Sequence, residues 1–190
     1  MQIRFIFSVA AIAALSSISP WAHAKDDDNN HNQVNFFASS MVGNTTGVTV
    51  GGVAAGGAPW VVTAATAEVA SNGQILVRVK GLVVAAGTGV AANLVGTTGG
   101  VTQVAASLVC GGSGGMVAAS TGGFPLAANG DATIKATVTL PAQCQAPVVL
   151  VRVFDPTAAA NAQLGAFIAL TGFNAPTTPG GGAKSGGDGN

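Results

Sequence analysis

The chain has 190 residues, of which only 7% are charged, compared with about 25% in an ordinary globular protein. Seven Lys and Arg residues are balanced by seven Asp and Glu residues. No basic excess is therefore available to neutralise a phosphate backbone, and nucleic-acid binding is disfavoured. The length allows one domain with tails, or at most two small domains.

Residues 1–24 have the three parts of a signal peptide. Arg4 lies in a short basic start, residues 5–18 form an apolar centre, and Ala22-His23-Ala24 provides the small residues of a cleavage site. Cleavage is predicted after Ala24. The apolar run is shorter than the ~20 residues that span a bilayer, and no later stretch is a membrane-helix candidate. We therefore expect a secreted, periplasmic or cell-surface protein without a membrane span after cleavage.

Residues 25–57 are predicted to form a flexible N-terminal segment that could supply an extra strand. Its first part, KDDDNNHN, includes three aspartates and His31, but their spacing matches no calcium loop. Residues 34–41 are apolar enough for a short strand or for docking against a domain. Residues 43–57 are either a linker or a loose strand around Val48 and Val50. Asn44-Thr45-Thr46 is a glycosylation sequon.

Two β-rich runs, residues 60–70 and 74–84, flank Asn72-Gly73 and predict a hairpin with a two-residue type I′ turn. Gly81 is expected to mark a bulge or bend. In that register, the residue numbers of two facing positions sum to about 145. Glu68 therefore lies opposite Val77, with Arg78 and Lys80 nearby. We regard Glu68, Arg78 and Lys80 as a candidate polar contact face, and an ion pair there would contribute under about 1 kcal/mol.

Further runs downstream alternate or are continuously apolar, as strands do. They cover residues 101–110, 116–120, 132–140, 148–154 and 164–173. Residues 86–100 are predicted to form a long loop that could include a short strand at 91–95. Residues 158–163 could form a single helical turn. Residues 58–173 are thus predicted to form an all-β domain: an antiparallel immunoglobulin-like β-sandwich of about seven strands, with a small β-barrel as the alternative. Residues 174–190 are predicted to be a disordered Gly- and Pro-rich tail.

Cys110 and Cys144 are the only cysteines, and in an exported chain an even pair is expected to form a disulfide. Closing a loop of ~34 residues would stabilise the fold by about 3–4 kcal/mol. The predicted domain has no histidine, so no metal site and no cofactor are expected.

A catalytic role is not expected, because the predicted domain has no histidine base for a nucleophilic triad. Its only acids are Glu68, Asp131 and Asp155, and a carboxylate pair would need two of them together. The glycine-rich stretch at 111–115 lacks the lysine and following helix of a phosphate loop. An enzyme would become plausible if the three acids shared a cleft.

The stretches APWVVT, NGQILVRVKGLVVAAG, VTLPAQCQAPVVLVRV and TGF, spread over residues 58–173, resemble small secreted bacterial β-sandwich proteins of unknown function. The resemblance implies export and β-structure, and it implies no activity.

These features predict a non-catalytic structural or interaction domain of the cell exterior, such as an envelope, matrix or adhesive module. Its partner would be an unknown protein or surface, and self-association is a further expectation, with residues 35–50 donating a strand to a neighbour. The alternative is a ligand- or carbohydrate-binding module. Its candidate stacking rings are Trp60, Phe124, Phe154, Phe167 and Phe173.

Overall fold

The structure is a computed structural model that describes residues 34–172. The predicted signal peptide with its cleavage site at Ala24, His31 and the predicted tail at 174–190 lie outside the described residues. Within residues 34–172, no helix is long and apolar enough to span a membrane.

Thirteen β-strands account for the regular structure of the described residues, together with one 3-10 turn. The strands are β1 (Asn35–Gly43), β2 (Thr49–Val50), β3 (Val53–Ala54), β4 (Trp60–Val61), β5 (Ala64–Ala70), β6 (Gln74–Lys80), β7 (Val83–Val84), β8 (Gln103–Cys110), β9 (Met116–Ser120), β10 (Phe124–Pro125), β11 (Ala132–Thr137), β12 (Val148–Phe154) and β13 (Leu164–Thr171), and the 3-10 turn covers Gly112–Gly114.

Nine of these strands form one antiparallel sheet in the order β10-β8-β12-β13-β1-β5-β6-β11, with β9 also paired to β8. Strand β1 joins its two halves, because residues Asn35 to Ser40 pair with β5 and residues Met41 to Gly43 pair with β13. The sheet curls until β11 approaches β10 and β8. An all-β antiparallel fold is therefore confirmed, whereas an immunoglobulin-like sandwich of two separate sheets is not.

The main core fills the inside of the curl. It contains the inward residues of both halves, among them Val69, Ile75, Val77, Leu108, Ile134, Val149 and Ile168. A second, smaller cluster lies on the opposite face of β8, β12 and β13. There the β2-β3 hairpin brings Val50 and Val53 against Val109, Leu150 and Phe167. Strand β12 is thus covered on both faces, which explains its continuous apolar sequence.

The segment predicted as flexible supplies part of this sheet. Strand β1 lies between β13 and β5, and Met41 is buried in the main core. Strands β2 and β3 follow within residues 43–57. Of the alternatives left open by the sequence, the structure therefore has the strands, and the folded part of the chain begins well before residue 58.

The central hairpin was predicted with the wrong turn and register. Strands β5 and β6 pair as Glu68↔Leu76 and Thr66↔Arg78, so that paired positions sum to 144 and the loop has three residues. Gly73 has φ of 86°, its N–H donates to the Ala70 carbonyl, and Asn72 is not in the left-handed region. The type I′ turn is excluded because it requires positive φ at both central residues.

Several boundaries also differ from the prediction. Both long runs of the hairpin are interrupted, between β4 and β5 and between β6 and β7, and the second break lies at Gly81 (φ 63°), where a bend was expected. Strand β11 ends at Thr137 rather than at residue 140. Residues 91–95 form turns instead of a strand, and residues 158–163 contain no helical turn.

The predicted disulfide is present. Cys110, at the end of β8, is bonded to Cys144, in the loop before β12, with a Cα–Cα distance of 4.9 Å. Both cysteines are half-buried against the main core. The bond therefore ties the β11–β12 connection to the end of β8.

We predict that Gly43→Ala destabilises the fold by at least about 2 kcal/mol, because a Cβ at Gly43 would collide with the backbone carbonyl of Trp60 and overpacking is costly. Gly57→Ala is the matched control, since a Cβ there meets nothing within 4 Å. Urea unfolding of the two variants checks this. Equal midpoints would show that the approach of β1 to β4 does not constrain the fold.

Candidate interaction face

The outward face of β6 and β11 concentrates the positive charge of the described residues. Side chains alternate along each strand, and Arg78, Lys80 and Lys135 occupy exposed positions while Val77, Val79 and Ile134 point into the core. The only other Lys or Arg within residues 34–172 is Arg152. Three of four cationic side chains therefore lie on one face.

The three cations form a line across the sheet. The β6–β11 register pairs Arg78 with Thr133 and Leu76 with Lys135. With about 3.3 Å per residue along a strand and about 4.8 Å between strands, the backbone positions of successive residues along Lys80, Arg78 and Lys135 are roughly 7–8 Å apart. We refer to this surface, with the exposed hydroxyls of Thr66 and Thr133 beside it, as the cationic face.

Glu68 is the only acid within strands β5, β6 and β11. Its Oε1 lies 3.6 Å from Nη1 of Arg78, and its Oε2 accepts a hydrogen bond from Nδ2 of Asn35 at 3.3 Å. The observed register explains the ion pair. The residue numbers of paired positions in β5 and β6 sum to 144, so even-numbered residues pair with even-numbered residues and share one face. The side chains of Arg78 and Glu68 are 57% and 31% exposed, so the pair is an exposed one that leaves Arg78 accessible.

A groove of about 540 Å³ adjoins the cationic face where β11 approaches β10. Arg78, Lys80 and Thr133 contribute one side, and residues that follow β10 contribute the other. Its lining residues are Arg78, Val79, Lys80, Pro125, Leu126, Ala127, Asp131, Ala132 and Thr133. The groove thus places two cations opposite a short apolar wall.

Asp131 also lines this groove, but its carboxylate already has partners. Oδ1 accepts from the Gly81 N–H at 2.9 Å and Oδ2 accepts from Nδ2 of Asn129 at 3.1 Å. The backbone supports the same contact, since the Leu82 N–H donates to the Gly130 carbonyl. Asp131 therefore fastens the loop before β11 to the end of β6.

The three acids of the domain do not share a cleft. Asp131 lines the groove beside the cationic face, Asp155 lines a separate cleft of about 290 Å³ after β12, and Glu68 lines neither. The Asp155 carboxylate accepts hydrogen bonds from the hydroxyl and the backbone N–H of Thr157, which lower its pKa. Within residues 34–172, no three His, Cys, Asp or Glu side chains are grouped so as to hold a metal ion.

Arg152, the fourth cation, has a structural position. Its Nε and Nη2 donate to the carbonyls of Gly165 and Leu164 at 2.8 and 2.7 Å, and burial lowers its pKa. It therefore links β12 to the start of β13 and is not free to bind a ligand in the way that the outward cations are.

Of the candidate stacking rings within residues 34–172, none is fully exposed. Trp60 and Phe167 are buried, and Phe124 and Phe154 are half-buried; Phe173 lies outside the described residues. The sequon residue Asn44 is also buried, and its Nδ2 donates to the carbonyls of Gly56 and Ala58. Its side chain therefore holds the strand connection and is not presented for glycosylation.

Of the sequence-predicted face, the structure brings Glu68, Arg78 and Lys80 onto the same surface. Sequence reasoning missed Lys135 as a member, although Lys135 occupies an outward position of an alternating strand. The missing information was the pairing of β11 with β6, which is not encoded in either strand alone.

No protein-family profile, no curated protein sequence and no solved structure matches this chain.

We predict that Arg78→Thr with Lys80→Thr changes the free energy of unfolding by less than about 1 kcal/mol, because exposed charges contribute little to stability. Arg152→Leu should destabilise by about 1–3 kcal/mol, since it removes two charged hydrogen bonds to backbone carbonyls. Chemical unfolding of both variants measures this. A double variant that fails to fold would show that the cationic face is buried.

Thr157→Val should raise the pKa of Asp155 towards its ordinary value, because it removes the side-chain hydrogen bond that does most to lower that pKa. A carboxylate with a lowered folded-state pKa stabilises the fold above its unfolded pKa, and that contribution is lost as the pH falls through the folded pKa. Carbon-detected NMR titration of Asp155 in both proteins measures the shift. An unchanged titration would exclude the Thr157 hydroxyl as its cause.

Proposed function

We propose that this chain is an exported, non-catalytic interaction domain that binds an acidic polysaccharide of the cell exterior through the cationic face. The observation that carries the proposal is the line of Lys80, Arg78 and Lys135 across two paired strands. In a domain with so few charges, this is where an extended anion finds several cations at once.

The spacing of the line favours a polymer over a small anion. Side chains that start roughly 7–8 Å apart along the sheet can each contact a successive acidic group of an extended chain, which a single small anion does not offer. The hydroxyls of Thr66 and Thr133 flank Arg78 on the neighbouring strands and offer hydrogen bonds to sugar hydroxyls.

The composition of the face favours a polysaccharide over a protein partner. Stable protein interfaces have an apolar centre in which a few large side chains supply most of the affinity. The outward residues of β5, β6 and β11 include only one large apolar side chain, Leu76, and it is half-buried. Neutral sugars are disfavoured for a different reason, because no aromatic ring stands among those outward residues.

The disulfide supports export, since such bonds persist in oxidising compartments. It is compatible with the predicted signal peptide and with the resemblance to small secreted bacterial proteins, both of which remain predictions. A ligand-binding role also accords with the sequence-based alternative of a carbohydrate-binding module, now with acidic sugars as the class.

The test is binding of the protein to polygalacturonate, with uncharged dextran as the comparison polymer. Arg78→Thr with Lys80→Thr should weaken binding about 5–30-fold, if each lost contact contributes up to about 1 kcal/mol. Binding should also weaken as salt rises, because the screening length falls from about 10 Å at 0.1 M to about 3 Å at 1 M. Isothermal titration calorimetry at two salt concentrations provides both measurements.

Ala159→Glu with Asn161→Asp is the matched control. It lowers the net charge by two, as the test variant does, at exposed positions in the turn after β12. Its affinity should stay within about twofold of the parent, because the turn is outside the cationic face and more distant charges are screened. Equal losses of affinity in the two variants would show that only the net charge of the protein matters and would contradict a specific role of the cationic face. Absence of binding by the parent would refute the proposal.

A further inference from the structure

An apolar groove lies at the end of the fold where the chain enters β1. It has a volume of about 440 Å³ and is lined by Phe36, Ser71, Leu140, Pro141, Ala142 and Cys144. The Phe36 side chain is 46% exposed, and Leu140 and Cys144 are only partly buried at the margin of the main core. This end of the core is therefore incompletely covered by residues 34–172.

Within residues 34–172, one edge of β1 beside this end has no strand paired to it. The ladder between β1 and β13 reaches Met41↔Thr171. Two further hydrogen bonds join Ser40 to Gly172. The Gly172 N–H donates to the Ser40 carbonyl at 3.0 Å, and Ser40 Oγ donates to the Gly172 carbonyl at 2.8 Å. Hydrogen-bonded pairs alternate along an antiparallel ladder, so Ala38 is the next residue with its N–H and C=O on this side. No described residue pairs with it there.

We propose that the occupant of this edge and groove is the chain's own C-terminal segment, residues 173–179. Continuing the observed register places Phe173 opposite Ser39 and Asn174 opposite Ala38. The N–H and C=O of Asn174 then complete the ladder at Ala38, and the following residues run towards Phe36.

The sequence of the segment fits this path. Phe173 is two residues beyond Thr171, so it shares the face of Thr171 and Met41, and Met41 is buried in the main core. Its small partner Ser39 leaves room for the ring. Pro176 follows at the next position where β1 would need an N–H donor, and proline has none, so the ladder ends there.

Only this part of the C-terminal segment has the necessary chemistry. Phe173 is the sole aromatic residue after Phe167, and residues 180–190 read GGGAKSGGDGN, without a large apolar side chain. The inference is independent of polysaccharide binding, because the groove and the cationic face share no lining residue.

Hydrogen exchange at the Ala38 amide, followed by NMR, tests the proposal. A chain ending after Gly172 should exchange this amide at least tenfold faster than the full chain, whereas a chain ending after Pro179 should match the full chain. Phe173→Ser in the full chain should speed exchange in the same direction, and it provides the measurement if the shorter chain fails to fold.

Equal exchange at Ala38 in the full chain and in the chain ending after Gly172 would overturn the proposal. Protection that grows with protein concentration, together with elution as a dimer, would also overturn it by identifying a second copy as the occupant. Exchange at Val77, in the centre of β6, should be equal in all variants and reports that the core is intact.

Discussion

The fold depends on the two-sided pairing of β1. Five of its first six residues pair with β5 and its last three pair with β13, so this single strand converts two groups of strands into one curled sheet. Of its four large apolar side chains only Met41 is buried, while Phe37 packs against the margin of the main core. Its place is determined by these contacts together with the backbone pairing on both sides and the close approach of Gly43 to Trp60.

This explains what the sequence could and could not predict. The core strands were identified because alternation or continuous apolarity marks them, and β12 and the disulfide were predicted correctly. Strand β1 was left as one alternative because NFFASSMVG has no strict period of two. The joining of the two halves is a long-range property, and it distinguishes one curled sheet from the expected sandwich.

The hairpin shows how one residue of register changes a site. Asn72-Gly73 suits a two-residue turn, but Gly73 supplies the same positive φ in a three-residue loop, and there the Asn72 Oδ1 accepts from the Gln74 N–H. The Gly73 carbonyl also accepts from Val138, a contact that no local pattern reveals. In the observed register Glu68 no longer lies opposite the inward residue Val77. It lies on the same face as Arg78 and forms an ion pair with it.

The strands at the margins of the sheet bear on self-association. Self-association was an expectation from the sequence, and each marginal strand has a feature that hinders strand addition: β10 is two residues long and contains Pro125, β9 has a register shift that leaves Ala118 unpaired, and β11 carries Lys135. The strand expected to be donated to a neighbour, β1, pairs within its own sheet. Lys135 thus has two consequences at once. It hinders strand addition at β11, and it extends the line of Arg78 and Lys80 onto a second strand, where the proposed function uses it to contact an anionic partner.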